Sequence, residues 1–120
     1  MILGIGVDLI DVPRIAGAIQ KQRFLERVYT EAERFRIAER GEQTAAGFYA
    51  AKEAVAKALG TGFTGFGPQA VGIVHAESGA PRVELTGAAL ARFEQMGGRQ
   101  ILISISHLPE YATAFAVIEG

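Results

Sequence analysis

The fold is organised around the stretch Phe48-Tyr49-Ala50-Ala51-Lys52-Glu53-Ala54-Val55-Ala56-Lys57-Ala58-Leu59-Gly60-Thr61-Gly62. It is rich in alanine and contains no proline, a composition with strong helix propensity. Gly60 stands where a glycine in the left-handed conformation commonly ends a helix. The apolar side chains repeat at helical spacing and predict a buried stripe, formed by Phe48, Ala51, Val55 and Leu59.

A second stripe on the same helix carries Tyr49, Glu53 and Lys57. Ionised groups beside a buried stripe are costly unless they are paired. One interpretation is an i,i+4 pair on a solvated face, worth about 0.2–0.5 kcal/mol. The other is a semi-buried site, which is favoured because only Lys52, Glu53 and Lys57 are charged between Phe48 and Leu59.

The composition predicts one domain spanning residues 1–120, with 15 glycines and no cysteine. Without cysteine, a disulfide or a thiolate zinc site is excluded. The net charge of −1 argues against a nucleic-acid binder. No apolar run reaches the roughly 18 residues of a membrane span, and no signal-peptide pattern is present. We therefore expect a cytoplasmic protein.

The N-terminal residues 1–10 alternate as a strand does. The apolar set, which we expect to face the core, is Leu3, Ile5, Val7 and Leu9. The opposite face offers Gly4, Gly6 and Asp8, bare backbone ending in a carboxylate that a ligand could approach. The alternative is that the glycines let a helix lie flat and that Asp8 caps a turn.

A basic segment follows the first strand. Residues 12–22 predict a helix with Asp11 as N-cap. Residues 12–28 have a local balance of +3, from Arg14, Lys21, Arg23 and Arg27 against Glu26. This surface either docks an acidic partner or is an ordinary solvated face.

The remaining elements follow from capping and alternation. A capping box at Thr30 and Glu33 predicts a helix to Arg40, and the central helix starts near Glu42. Residues 63–68 predict an irregular, flexible segment that matches no Walker or dinucleotide pattern. Further predicted elements are a hairpin of strands 70–76 and 82–85, a helix over 87–96 capped by Thr86, and strands over 101–107 and 111–118. The order β-α-α-α-β-β-α-β-β predicts an α+β domain, with helices packed on a largely antiparallel sheet.

The chemistry-bearing residues indicate a reaction class. Asp8 and Glu53 offer oxygen-only ligation, which suits magnesium shared with phosphate oxygens. Lys57 adds a point charge, which is needed because a helix C-terminus repels anions. A metal, a lysine and a glycine loop are parts for phosphoryl-type transfer, but they specify no substrate. His107, at a strand end, is either a structural residue or a ligand-binding one.

The chain resembles the holo-acyl-carrier-protein synthases, the small 4′-phosphopantetheinyl transferases. The similarity rests on motifs in the family's order along nearly the whole chain. These are Gly4-Ile5-Gly6-Val7-Asp8 with Arg14, Ala51-Lys52-Glu53-Ala54 with Lys57, Gly60-Thr61-Gly62, Gly79-Ala80-Pro81, and Ser104-Ile105-Ser106-His107 with Tyr111-Ala112.

The resemblance implies transfer of the phosphopantetheine arm of coenzyme A to a serine of apo-acyl carrier protein, with release of adenosine 3′,5′-bisphosphate. It implies Asp8 and Glu53 as magnesium ligands and Lys57 at the pyrophosphate. Coenzyme A would also be bordered by Gly60, Thr61, Gly62, Gly79, Pro81 and His107. The implied assembly is a homotrimer with sites between subunits. The basic surface of Arg14, Lys21, Arg23 and Arg27 would dock the carrier protein.

Two positions depart from the family pattern. Phe48 and Ala80 stand where basic residues are common, which removes charge that could hold the 3′-phosphate. Two other functions also fit the residues: a non-catalytic module that binds a nucleotide through magnesium, and a structural assembly protein in which Glu53 and Lys57 are a surface pair.

Overall fold

The computed structural model describes residues 1–120 and shows five α-helices and five strands. In chain order they are β1 (Ile2–Asp11), α1 (Val12–Ala18), α2 (Gln22–Val28), α3 (Glu31–Arg40), α4 (Glu42–Ala58), β2 (Val71–His75), β3 (Pro81–Leu85), α5 (Gly87–Gln95), β4 (Gln100–His107) and β5 (Tyr111–Glu119). A short 3-10 turn, Pro68–Ala70, precedes β2. The α+β class and the order of elements are confirmed, except for one additional helix.

The additional helix is α2, because residues 12–28 form two helices rather than one over 12–22. The break after Ile19 redirects the chain so that Val28 and Tyr29 are buried. The Tyr29 hydroxyl donates to the Ala45 carbonyl oxygen in α4 at 2.8 Å. The helical spacing of Phe24, Leu25 and Val28 was the available signal for this second helix.

The predicted caps were mostly correct. Asp11 accepts a hydrogen bond from the Arg14 amide, and Thr30 and Glu33 form the expected capping box. Thr86 occupies the N-cap position of α5, but its hydroxyl makes no capping bond. Gly60 follows α4 in the left-handed conformation, with φ of 80°. The stripe of Phe48, Ala51, Val55 and Leu59 is buried, as predicted.

The strands form two antiparallel sheets rather than one. The first has the order β1-β5-β4, and the second is the β2–β3 hairpin. The hairpin packs beside β4 without pairing with it. The inner face of the three-stranded sheet is covered by α4, which contacts all three strands.

The expected orientation of β1 is wrong, and its glycine face is the one that packs on α4. A Cβ atom on Gly4 or Gly6 would overlap the carbonyl oxygens of Ala58 and Ala54. Only glycine permits so close an approach of strand and helix. The opposite face is therefore turned outward, and Ile5, Val7 and Leu9 are 60%, 54% and 67% exposed.

None of the helices combines the length and the apolar character that crossing a membrane requires.

Candidate active site

The close packing of β1 on α4 brings Asp8 to the polar stripe of the helix. The Lys57 ammonium lies 3.1 Å from Asp8 Oδ1 and donates to the Val7 carbonyl oxygen at 2.9 Å. The other carboxylate oxygen, Asp8 Oδ2, is buried and has no hydrogen-bond partner. A buried charged oxygen without a partner is costly, so this atom is available to a ligand.

Glu53 lies one helical turn before Lys57 and belongs to the same cluster. Its pKa is raised, first by burial and then by the negative charge of Asp8, while Lys57 and the Tyr49 hydroxyl oppose the shift. The two acids therefore interact on one side of α4. The pKa of Tyr49 is also raised, chiefly by burial and by Glu53, while the positive charge of Arg14 opposes that rise.

The donor set of this cluster suits a hard cation. The two carboxylates provide oxygen donors, and Asp8 Oδ2 already lacks a protein partner. No group of three or more histidine, cysteine, aspartate or glutamate side chains gathers as a metal site. Two carboxylates with the remaining positions left to water or phosphate oxygens match the preference of Mg²⁺ rather than that of zinc.

A second functional feature is a basic cavity of about 210 Å³ between α3, α4, the β2–β3 hairpin and β4. Its polar lining includes both histidines of the chain. The lining side chains and glycines are Arg36, Arg40, Thr44, Gly47, Phe48, His75, Gly79, Pro81, Ile105 and His107. Two guanidinium groups at one cavity make it suited to an anion such as a phosphate.

The two histidines of the cavity are held differently. His107 Nδ1 is within hydrogen-bond distance of Gln43 Oε1, at 2.7 Å, which fixes the orientation of the imidazole ring. His75 packs against the Phe48 ring at 5.9 Å between centroids. Burial, followed by the charges of Arg36 and Arg40, lowers the pKa of His75.

The glycine segment, residues 60–67, follows α4, and the guanidinium of Arg92 lies beside its start. Gly60 and Gly62 have positive φ, and the Gly62 amide donates to the Ala56 carbonyl oxygen. Arg92 of α5 donates from Nε to the Leu59 carbonyl oxygen at 2.8 Å. Its charge opposes the negative end of the helix dipole, which would otherwise disfavour an anion at this point.

The structure thus sorts the predicted site residues into groups. Asp8, Glu53 and Lys57 form one cluster; Gly79, Pro81 and His107 line the basic cavity, which none of the first three residues lines. Gly60, Thr61 and Gly62 form the turn that follows the C-terminal end of α4. The basic residues Arg14, Lys21, Arg23 and Arg27 are all exposed along α1 and α2.

Sequence reasoning missed Arg36, Arg40 and His75 at the cavity. Arg36 and Arg40 are four residues apart on α3 and therefore share one helix face, a spacing that could have identified them. His75 had no such signal, because only the packing of β2 beside α3 brings it to the two arginines.

Comparisons with known proteins point to one family. The family model of the 4′-phosphopantetheinyl transferase superfamily matches residues 4–116. A holo-[acyl-carrier-protein] synthase of Clostridium tetani is 42% identical over 123 residues, covering 100% of this chain and 98% of that protein. One from Mesorhizobium japonicum is 44% identical over 129 residues, covering 100% of this chain and 94% of its own length.

Solved structures give the same result. The crystal structure of a holo-[acyl-carrier-protein] synthase from Neisseria meningitidis superposes with a TM-score of 0.89 at 34% identity, covering 100% of both chains. The Helicobacter pylori synthase in complex with coenzyme A gives a TM-score of 0.85 at 28% identity, covering 96% of this chain and 99% of that one.

Proposed function

The chain belongs to the holo-[acyl-carrier-protein] synthases of the 4′-phosphopantetheinyl transferase superfamily, and we propose that it transfers the 4′-phosphopantetheine arm of coenzyme A to a serine of an acyl carrier protein. Membership of this family makes it an enzyme, a phosphopantetheinyl transferase. The proposed co-product is adenosine 3′,5′-bisphosphate, and the proposed setting is fatty acid biosynthesis in the cytoplasm.

The observation that carries this proposal is the Asp8–Glu53–Lys57 cluster with its unpartnered carboxylate oxygen. We propose that Asp8 and Glu53 hold Mg²⁺ together with waters and pyrophosphate oxygens of coenzyme A. When bound, the cation supplies neutralisation of negative charge on the pyrophosphate.

In the proposed reaction the carrier serine oxygen attacks the β-phosphorus of coenzyme A. A new phosphorus–oxygen bond forms as the bond to the bisphosphate breaks. Glu53, whose pKa is raised, accepts the serine proton directly or through a water molecule. Lys57, whose side chain is about half exposed, stabilises the negative charge of the departing bisphosphate.

The basic cavity is proposed to hold the nucleotide half of coenzyme A. Gly79, Pro81 and His107, which the family resemblance assigns to the nucleotide, share it with Arg36 and Arg40. We propose that these two arginines supply the positive charge for the 3′-phosphate and that His75 lines the site beside them. Their charge would compensate for the uncharged residues at positions 48 and 80.

We propose that the complete site forms between subunits of a homotrimer. The outer face of the three-stranded sheet exposes a set of large apolar side chains, namely Ile5, Val7, Leu9, Leu102, Tyr111 and Phe115. Exposed apolar surface of this kind is typical of a protein–protein interface. Lys57 lines an adjoining cavity with Ile5, Gly6, Val7 and Phe115, so the catalytic cluster would border the interface. The basic cavity of one subunit could then complete the cluster of its neighbour.

The carrier protein is proposed to dock on the exposed basic surface of α1 and α2. Arg14 lies near enough to the polar stripe of α4 for its charge to oppose the rise in the pKa of Tyr49. An acidic carrier would thus meet complementary charge close to the reacting groups.

The test is to incubate the protein with coenzyme A, Mg²⁺ and apo-acyl carrier protein and to weigh the carrier by mass spectrometry. We expect the carrier to gain one phosphopantetheine, with no gain when its acceptor serine is replaced by alanine. Binding of coenzyme A without any gain in carrier mass would instead support a non-catalytic nucleotide-binding module.

A further inference from the structure

Lys52, the residue before Glu53 on α4, is buried although it is charged. Only 1% of the residue is exposed. Its ammonium donates to the carboxylate of Glu33, to the Pro68 carbonyl oxygen at 3.0 Å and to the Val71 carbonyl oxygen at 2.7 Å. An ammonium has three N–H donors, so each donor has an acceptor.

Both oxygens of the Glu33 carboxylate also have hydrogen-bond partners. Its Oε1 lies 2.8 Å from the Lys52 ammonium and accepts from the Thr30 amide at 2.8 Å. Its Oε2 accepts from the Ile73 amide at 2.6 Å. The pair therefore joins α3 and α4 to both the 3-10 turn and the start of β2.

These contacts fix the far end of the glycine segment. The chain leaves α4 at Gly60 and forms no helix or strand until Pro68. Three of its residues, Gly60, Gly62 and Gly65, have positive φ, so its own backbone restricts it little. Gly62 is tied to α4 at the near end, and Lys52 holds Pro68 at the far end.

The same contacts set the position of β2 relative to α4. Val71 and Ile73 are bonded to the ion pair, and His75, two residues further on, lines the basic cavity. The buried Lys52 ammonium thus fixes the positions of the glycine segment and of His75 relative to α4, the helix that carries Glu53 and Lys57.

The attraction between the two charges does not by itself explain this arrangement. Replacing a buried ion pair by apolar side chains of similar volume is often neutral or stabilising. Apolar side chains, however, could not form hydrogen bonds with the backbone carbonyl oxygens of Pro68 and Val71 or with the backbone amide of Ile73. What the ion pair adds is a defined position for those three residues.

We propose that Lys52, with Glu33, is a positioning residue that holds the glycine segment and β2 in the geometry needed to bind coenzyme A. This inference rests on the proposed function, because the segment matters for activity only if Gly60, Thr61 and Gly62 border the phosphates. Lys52 itself is buried and contacts no substrate.

The test compares a double variant, Lys52→Met with Glu33→Met, against Val55→Ala. The double variant removes both charges and so leaves no unpaired ion in the core. Val55 is fully buried in the same helix, and its truncation destabilises the core without removing a bond to the segment. Binding of coenzyme A is measured by calorimetry in Mg²⁺ buffer, well below the unfolding transition of each protein.

We expect the dissociation constant of coenzyme A to rise about tenfold or more in the double variant and to stay within about twofold in Val55→Ala. The inference is overturned if the double variant binds coenzyme A like the parent protein, or if Val55→Ala weakens binding equally. Should the double variant not fold, Lys52→Arg takes its place, since a planar guanidinium cannot satisfy three acceptors arranged for an ammonium.

Hydrogen exchange of residues 61–73 in the protein without coenzyme A separates this inference from the proposed function. We expect exchange there to be about tenfold faster in the double variant, and unchanged in Val55→Ala. Equal exchange in all proteins would refute the anchoring role even if the enzyme is active. If the parent protein fails to modify the carrier, the proposed function fails, while accelerated exchange would still support the anchor.

Discussion

The Lys57 ammonium bonds one oxygen of the Asp8 carboxylate at 3.1 Å and leaves the other buried and unpartnered. This half-satisfied carboxylate is placed by two glycines on the same strand face, which allow β1 to approach α4. Lys57 balances the charge of Asp8 in this arrangement, and we propose that it also contacts a phosphate of the ligand.

The first prediction concerns the charge of Lys57. Lys57→Met should lower kcat/KM by about 10²–10³, because it removes charge stabilisation of the departing bisphosphate. The measurement is the rate of carrier modification at fixed Mg²⁺. Lys57→Arg is the matched control and should retain more activity, since the charge is kept. Equal losses in both variants would contradict a mainly electrostatic role.

The second prediction separates activity from stability at Glu53. Glu53→Gln should lower kcat by about 10² or more, because the proposed proton acceptor and metal ligand is lost. The same change should raise Tm in the absence of Mg²⁺, because it removes the burial cost of a charge and the repulsion from Asp8, the two causes that raise the pKa of Glu53. Thermal unfolding of the parent protein and the variant, with and without Mg²⁺, measures this change in Tm. A variant with undiminished turnover would refute the metal assignment.

The third prediction concerns recognition of the nucleotide. Arg36→Gln should weaken binding of coenzyme A about tenfold and leave binding of dephospho-coenzyme A nearly unchanged, since a charge-assisted bond to the 3′-phosphate is lost. Arg99→Gln, an exposed arginine outside the cavity, is the control. Equal weakening for both ligands would show that Arg36 does not contact the 3′-phosphate.

The fourth prediction is a pH dependence of stability. Burial and the charges of Arg36 and Arg40 lower the pKa of His75 in the folded protein, so the unfolded chain binds more protons at this residue. Its contribution to stability is therefore present above the ordinary histidine value of about 6.5 and is lost as pH falls through the lowered value in the folded state. The decline of Tm between pH 7 and 5 should be shallower in His75→Gln. Identical pH profiles for the two proteins would exclude His75 as a contributor.

The fifth prediction tests the outer face of the three-stranded sheet. Val7→Lys should dissociate the proposed trimer into monomers and should reduce transfer activity, because a charge in an apolar interface is costly. Light scattering gives the mass in solution. Glu84→Lys, an exposed change on the separate hairpin, should leave the assembly intact. A Val7→Lys protein that remains trimeric would place the subunit contact elsewhere.

The sequence by itself determined the elements whose signals are local. Helix α4, its glycine terminus, its buried stripe, the capping box of α3 and the alternation in β4 follow from the spacing and capping preferences of neighbouring residues. The motifs around Asp8 and Glu53 also identified the family, because their types and order are readable without coordinates.

Tertiary structure decided what depends on residues that are distant in the chain. Alternation in β1 defined two faces, but only the approach of α4 to Gly4 and Gly6 determined that the apolar face is outward. Glu33 and Lys52 are 19 residues apart, and Arg36 and His75 lie on different elements, so no local pattern could pair them. Periodicity reports which residues share a face, whereas the packing of helices against strands fixes what that face meets.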